Sequence, residues 1–419
     1  MGGSSERYEY AKNLYGKIGV DTDGALRKLK GIPISVHCWQ GDDITGFENK
    51  TGPSGGIAAT GNYPGKARDY KELMADYEFA LNLIPGKHRI NLHAIYAIPE
   101  GGEAVPRDKP KPEHFKKWVE FAKRLGVGID FNPTYFSHEM ADDGLTLSHP
   151  DKNVREFWIS HTKSTRKICE YMGRELGSPC LHNIWIPDGY KDIPADKTGP
   201  RKRLRDSLDE IFADPNVDKK YLYDSVEAKL FGIGLESFTV GSHEFYMNYA
   251  AASGGKVMVL FDSGHFHPTE GISDKLSSQL LFADKIALHV TRSVRWDSDH
   301  VVLLDDELKG IAAEIIKCGP ERVLIGLDYF DASINRIAAW VIGVRNMQKA
   351  LLAALLTPYE KMAEMQDKKD YTGLIAIREE LKTYPFGDIW DYFLSINGTE
   401  RDFLGKVREY ENGVLLKRK

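Results

Sequence analysis

The stretch VMVLFDSGHFHPTE, residues 257–270, runs out of an apolar segment into Asp262, His265, His267 and Glu270. Carboxylates and imidazoles gathered this closely bind divalent cations or move protons. Further on, RSVRWDSDHV (292–301) carries Asp297 and Asp299 one serine apart, a spacing that lets both carboxylates turn toward one cation on an extended loop. Polar and aromatic groups recur elsewhere at the ends of apolar runs: His37 and Trp39, His93, Asp130 and Asn132, Trp185 and Asp188, Glu227 and Lys229, His289, and Asp328. Taken singly, each has an ordinary reading. Asp262 could cap a strand, Asp297 and Asp299 could lie on a surface loop, and His289 could be a core histidine. Glu227 with Lys229 could be plain strand alternation, and Trp39, Trp185 and Phe330 core aromatics. His267 and Glu270 fit better as holders of their turn than as ligands. The inference rests on the set.

Carboxylates crowded in a dry place raise one another's pKa unless something positive lies among them. A divalent cation is the economical partner. Hard oxygen donors with an imidazole suit Mn²⁺, Mg²⁺ or Co²⁺ and admit Zn²⁺, and no thiolate is placed to select a softer metal. Spacing alone offers Glu227, Asp262, His265, His289, Asp297, Asp299 and Asp328 as ligands. That is more than one ion takes, so two metal sites are expected.

The elements that must position these groups are eight short apolar runs, at 33–39, 88–96, 126–133, 180–187, 223–233, 255–265, 285–291 and 322–330. Charged segments of helical period separate most of them, for example KPEHFKKWVEFAKRL (111–125). Strands alternating with helices indicate a parallel sheet covered by helices, and eight is the number that closes a (β/α)8 TIM barrel. The rival, an open doubly wound sheet, usually carries a Gly-rich first turn, and no GxGxxG occurs here. In a barrel the strand ends share one mouth, where chemistry is found. Residues 6–30 read as helical, and the chain beyond 340 as helices packed outside. The expected division is therefore an N-terminal helical segment (1–32), the barrel (33–343) and a C-terminal helical extension (344–419) suited to oligomer contacts.

Composition narrows the partners. The chain has 419 residues, 42% hydrophobic and 28% charged, with a formal net charge of -5. Dispersed Lys and Arg give no footprint for nucleic acid or for an anionic membrane surface. Its four cysteines form no CxxC pair, which suits a reducing compartment. The opening MGGSSERYEY lacks the apolar core of a signal peptide, and no apolar run approaches bilayer length. A cytoplasmic protein acting on a small polar substrate is expected.

Several blocks resemble the L-rhamnose isomerases, metal-dependent aldose–ketose isomerases related in fold to xylose isomerase. They are HCWQGDD (37–43), GFENKTGPSGGIAATGNYPGKAR (46–68), INLHAIY (90–96), NIWIPDG (183–189), VEAKLFGIG (226–234), DSGHFHPTE (262–270), RWDSDHVVLLDDE (295–307) and GLDYFDASINRIAAWVIG (326–343). The resemblance implies a structural metal site on Glu227, Asp262, His289 and Asp328, and a catalytic one on His265, Asp297 and Asp299. It implies that Lys229 polarises the C1 oxygen of the sugar, that His93 lies near the ring oxygen, and that Trp185 walls the pocket. Ile95 and Phe330 are expected as apolar substrate contacts. LDYFDAS offers both Asp328 and Asp331, and the ligand is placed on Asp328. The implied reaction interconverts L-rhamnose and L-rhamnulose in rhamnose catabolism by a metal-mediated 1,2-hydride shift, with an enediol route as the rival. Lys229, His93, Asp297 and Asp299 would be its catalytic groups, Mn²⁺ the expected ion and a homotetramer the expected assembly. Other aldoses, such as L-mannose or L-lyxose, are further expected substrates. Two alternatives stand beside it, a barrel metallohydrolase such as a phosphodiesterase, and a sugar-binding or scaffold protein without turnover.

Overall fold

A computed structural model describes residues 2–48, 61–99, 105–229, 237–267, 269–295 and 297–418. Eight of its strands close into one parallel barrel: β1 Ile34–His37, β2 His88–His93, β3 Gly128–Asn132, β4 Cys180–Trp185, β5 Leu222–Glu227, β6 Met258–Asp262, β7 Ile286–Val290 and β8 Val323–Leu327. Seven of them lie within the apolar runs read from the sequence, and β5 begins one residue before its run. Neighbours pair in chain order, and β8 closes on β1 with Ile34 opposite Ile325. A short antiparallel ribbon, Gly189–Tyr190 with Phe238–Thr239, stands outside the barrel.

Alternation along each strand sends one set of side chains to the surrounding helices and the other into the barrel. Leu181, Leu260 and Ala287 pack inside as an apolar layer, joined by Tyr223, Met258 and Leu324. Two residues further along the same strands come Asn183, Ser225, Asp262 and His289, so the interior turns polar toward the C-terminal ends. The outward set, including Ile90, Ile129, Phe261 and Leu288, belongs to the main core against the helices.

Helices α1 (Gly2–Gly16) and α2 (Thr22–Gly31) precede the barrel, where the sequence suggested one helical stretch. The break lies at Gly19, with φ of 91°, and Asp21 caps α2 by accepting from Gly24 N. The helices that follow the strands are α3 (Tyr70–Leu81), α4 (Lys116–Leu125), α5 (Lys152–Leu176), α6 (Thr198–Phe212), α7 (His243–Ala252), α8 (Ser273–Gln279), α9 (Asp306–Cys318) and α10 (Arg336–Leu355). Helix α10 runs straight through residue 343, and α11 (Tyr359–Asp367), α12 (Tyr371–Leu381), α13 (Phe386–Ile396) and α14 (Leu404–Gly413) follow it. The extension folds back onto the barrel. Arg345 of α10 donates to the carbonyls of Leu83, Glu400 and Arg401, and Arg418 pairs with buried Asp76. Helix α13 packs on α1, with Tyr8 and Tyr392 stacked at 3.8 Å. Of the 46–68 segment quoted above, residues 49–60 lie outside the described residues, as do 230–233 of the fifth apolar run.

Candidate metal centre and active site

Glu227 and Asp262 are the last residues of β5 and β6, His289 the fourth of β7, and Asp328 the residue after β8. Each is buried, and one ligand atom from each lies within 4.8 Å of the other three. His289 Nδ1 stands 3.1 Å from Asp328 Oδ2, 3.2 Å from Glu227 Oε2 and 4.0 Å from Asp262 Oδ2. It is aligned to hydrogen-bond none of them. Asn183 Nδ2 donates to Glu227 Oε2 at 2.5 Å, and Gly264 N to Asp262 Oδ1 at 2.6 Å.

His265 lies between this group and the Asp297–Asp299 pair. Its Nδ1 is 3.3 Å from Glu227 Oε1 and its Nε2 3.2 Å from Asp297 Oδ2. Lys229 Nζ donates to Asp297 Oδ2 at 2.5 Å and lies 5.5 Å above the Trp185 ring. Asp299 adopts φ of 45°, a left-handed conformation that Asp tolerates better than most residues, and its carbonyl accepts from Phe330 N.

The electrostatics are those of an acidic cluster short of cations. Burial pushes Asp262 up to about 8, with Glu227, Asp328 and Asp297 adding to the rise. Burial raises Asp299 well above the usual carboxylate range, helped by Asp297, Asp328 and Asp262, and raises Asp328 too. In Glu227 and Asp297 burial works the same way, but neighbouring histidines, and Lys229 for Asp297, outweigh it and hold both carboxylates low. His265 and His289 are driven well above their ordinary value against the cost of burial, His265 chiefly by Asp262 and Asp297, His289 by Glu227 and Asp328. Buried Nδ1 atoms of His265 and His289, with Oδ1 of Asp297 and of Asp328, have no hydrogen-bond partner. Carboxylate and imidazole donors left open in this way fit a divalent cation, and Glu227, Asp262, His289 and Asp328 form one such cluster, with His265 and Asp297 beside it.

The remaining expectations divide. His93, at the end of β2, is buried with Nε2 unpartnered, and burial with the nearby His289 lowers it to about 3, so it is neutral near pH 7. Trp185 and Phe330 join Trp39, Ile44 and Phe136 in one apolar cluster, and Trp39 also stacks on His37 and lies against His93. Ile95 is instead buried in the main core, against Gly46, and is not part of that cluster. Asp331 accepts from Ser333 within its own turn, leaving Asp328 for the cluster. His267 bonds Thr269, and exposed Glu270 pairs with Lys275, so both hold the turn as expected.

Two strand-end acids do not reach the mouth, contrary to expectation. Asp130 lies one layer deeper, paired with Arg89 at 2.8 Å. Asp188 turns away to Thr146 and Ser148, accepting from both backbone N–H groups and both hydroxyls. Sequence reasoning gave no role to Asn91, Asn183 or Ile44, which touch the site through neutral amides or apolar surface and leave no ionisable signal.

Barrel, acidic mouth and apolar wall together define a (β/α)8 protein with a cation-binding site suited to a small polyhydroxylated ligand. In fold the chain is similar to a solved L-ribulose 3-epimerase, with a TM-score of 0.50 at 12% identity over 79% of this chain and 97% of that one. The chain belongs to the L-rhamnose isomerase (RhaA) family, whose model matches residues 4–418. It is 55% identical over 418 residues to the L-rhamnose isomerase of Listeria monocytogenes serotype 4b (strain F2365), covering 99% of this chain and 98% of that protein. To the L-rhamnose isomerase of Salmonella paratyphi B (strain ATCC BAA-1250 / SPB7) it is 53% identical over 417 residues, again covering 99% and 98%. The metallohydrolase alternative finds no support in these relatives. Among the described residues no helix is long and apolar enough to cross a membrane.

Proposed function

We propose that the protein is an aldose–ketose isomerase that interconverts L-rhamnose and L-rhamnulose in rhamnose catabolism. The observation that carries this reading is the meeting, at one barrel mouth, of the four-ligand cluster, His265 and the Lys229–Asp297 pair, within a chain that matches its family end to end. Two divalent ions, Mn²⁺ foremost with Co²⁺, Zn²⁺ or Mg²⁺ as alternatives, would be held by Glu227, Asp262, His289 and Asp328 and by His265, Asp297 and Asp299. Bound there, they supply Lewis-acid stabilisation of charge developing on the C1 and C2 oxygens.

The chain's own groups do the rest. Lys229, kept charged by Asp297 despite its burial, donates to the C1 oxygen as negative charge grows on it. A hydroxide held by Asp297 or Asp299 would take the O2 proton. Neutral His93 offers its free Nε2 to a sugar oxygen. Trp39, Ile44, Phe136, Trp185 and Phe330 exclude water and cover the apolar edge of the sugar, the methyl end included. In this dry pocket hydrogen passes from C2 to C1 as hydride rather than through an enediol that exchanges with solvent. We further propose a cytoplasmic homotetramer with contacts from the 344–419 helices, where Tyr371 and Ile375 are exposed. Sedimentation equilibrium tests the assembly.

The deciding experiment is isomerisation of C2-deuterated L-rhamnose by chelator-stripped protein, with and without Mn²⁺ or Co²⁺. Ketose is expected only with metal, with deuterium retained at C1. Label lost to solvent would move the mechanism to an enediol, and absence of ketose under every metal would overturn the isomerase reading.

A further inference from the structure

We infer that His37, held by a chain of amides from Asn132 through Asn91, is the positioning residue that turns Nδ1 of His289 toward the carboxylate cluster. The inference rests on the metal-binding reading of that cluster. His37 ends β1 and is 1% exposed, and nothing in the reaction above uses it. Strand β8 separates β1 from β7, but Gly326 of β8 faces His289 and carries no side chain. A Cβ there would stand 3.0 Å from His289 Cδ2. Across this gap His37 Nε2 and His289 Nε2 approach to 3.3 Å.

Hydrogen-bond direction then follows step by step. Asn132 Nδ2 donates to Asn91 Oδ1 at 2.6 Å, and the Asn91 amide turns its nitrogen the other way. Its Nδ2 faces His37 Nε2 at 2.9 Å. An amide nitrogen only donates, so His37 Nε2 bears a lone pair, and the proton of the neutral ring lies on Nδ1. That nitrogen is 3.7 Å from Asp328 Oδ1. Of the two facing nitrogens, only His289 Nε2 can then donate, sharing the His37 lone pair with Asn91 Nδ2. In the ion-loaded protein, where Nδ1 of His289 carries no proton, its lone pair lies there and faces Glu227, Asp262 and Asp328 as a ligand. The other nitrogen of a ligating histidine sets both tautomer and ring orientation, and here its partner is an imidazole in place of the usual carboxylate or carbonyl.

Two measurements test this. In neutron diffraction from deuterium-exchanged crystals of the Mn²⁺-loaded protein, deuterium is expected on His37 Nδ1 and absent from His37 Nε2. Deuterium on His37 Nε2 overturns the inference. Calorimetric Mn²⁺ titration of chelator-stripped protein is the second, with thermal unfolding of each metal-free variant as the folding check. His37→Phe, which keeps an aromatic ring against Trp39 but accepts nothing, is expected to weaken Mn²⁺ binding about 10- to 100-fold. His37→Gln, whose amide oxygen can accept from His289, is expected to recover most of that loss. Asn91→Asp reverses the chain by accepting from His37, and is expected to weaken binding comparably although it adds negative charge nearby. Binding by Asn91→Asp as tight as in the parent, or tighter, overturns the inference in favour of simple electrostatics. Failure of the parent itself to take up Mn²⁺ would instead overturn the metal reading on which the inference stands. If the variants do not fold, the neutron map of the parent decides.

Discussion

Asp224 and Glu227 lie three residues apart on β5 and point to opposite sides of the barrel wall. Behind the wall Asp224 accepts from Arg166 Nε and Nη2 at 3.0 Å each and pairs with Lys219, with His182 at 3.5 Å. Its side chain and that of Arg166 are 0% exposed. Glu227, also buried, shares its space with Asp262 and Asp328 and finds histidines and the neutral Asn183 amide for company. The outer cluster closes its charge with the protein's own cations, and the inner one leaves it open. Burial acts alike on both sides, so the difference lies in who supplies the positive charge. A closed buried pair holds structure, whereas an open one is a place for an ion.

The largest effect expected from breaking this comparison comes from Glu227→Gln. Turnover should drop below roughly a thousandth of the parent, beyond the 100- to 1,000-fold typical of losing one charge-stabilising donor. Mn²⁺ titration of the stripped variant should show the loss of a site. Lys229→Met should fall inside that range, roughly 100- to 1,000-fold in kcat, with metal uptake intact, because it removes charge from the substrate side only. On the outer side, Asp224→Asn should cost about 3–5 kcal/mol of unfolding free energy in urea, since it strands a buried guanidinium. Its kcat and Mn²⁺ affinity should match the parent's, and a parallel fall in turnover would show that the two clusters are not independent. The smallest effect is one of pH. Burial tends to raise Asp224, but His182, Arg166 and Lys219 outweigh it and hold the carboxyl well below its ordinary value. Its contribution is therefore complete above about pH 4, where the unfolded chain's carboxyl is ionised, and lost as pH falls through the lower folded value. Urea unfolding of parent and Asp224→Asn should show a gap that is constant from pH 5 to 7 and narrows in stronger acid.

Much of this was legible in the sequence because parallel barrel strands are buried on both faces and read as continuous apolar runs. The ligand cluster was legible because its members are ionisable and end those runs. Depth and facing were not. Asp130 looks like Asp262 on paper, yet its partner Arg89 lies 41 residues away on β2 and draws it into a lower layer. Asp188 follows β4 closely, but Thr146 and Ser148, some forty residues earlier, give it four hydrogen bonds. Ile95 stands near His93 in sequence, and the turn after β2 carries it into the core. His37 drew notice only as a strand end, since its link to His289 crosses β8 at a glycine that no local pattern marks.

The closure of the barrel also governs when the molecule can form. Strand β1 must wait for β8, whose register partners lie some 290 residues later, and α1 must wait for α13 to stack Tyr8 on Tyr392. At ribosomal speeds of about 5–20 residues per second, the edge of β1 stays unpaired on the order of tens of seconds while the chain emerges. Long-range closure of this kind makes folding slow and leaves sheet edges open to other chains. The barrel seam is thus sealed only once β8 has emerged, and α1 is clasped only once α13 has followed.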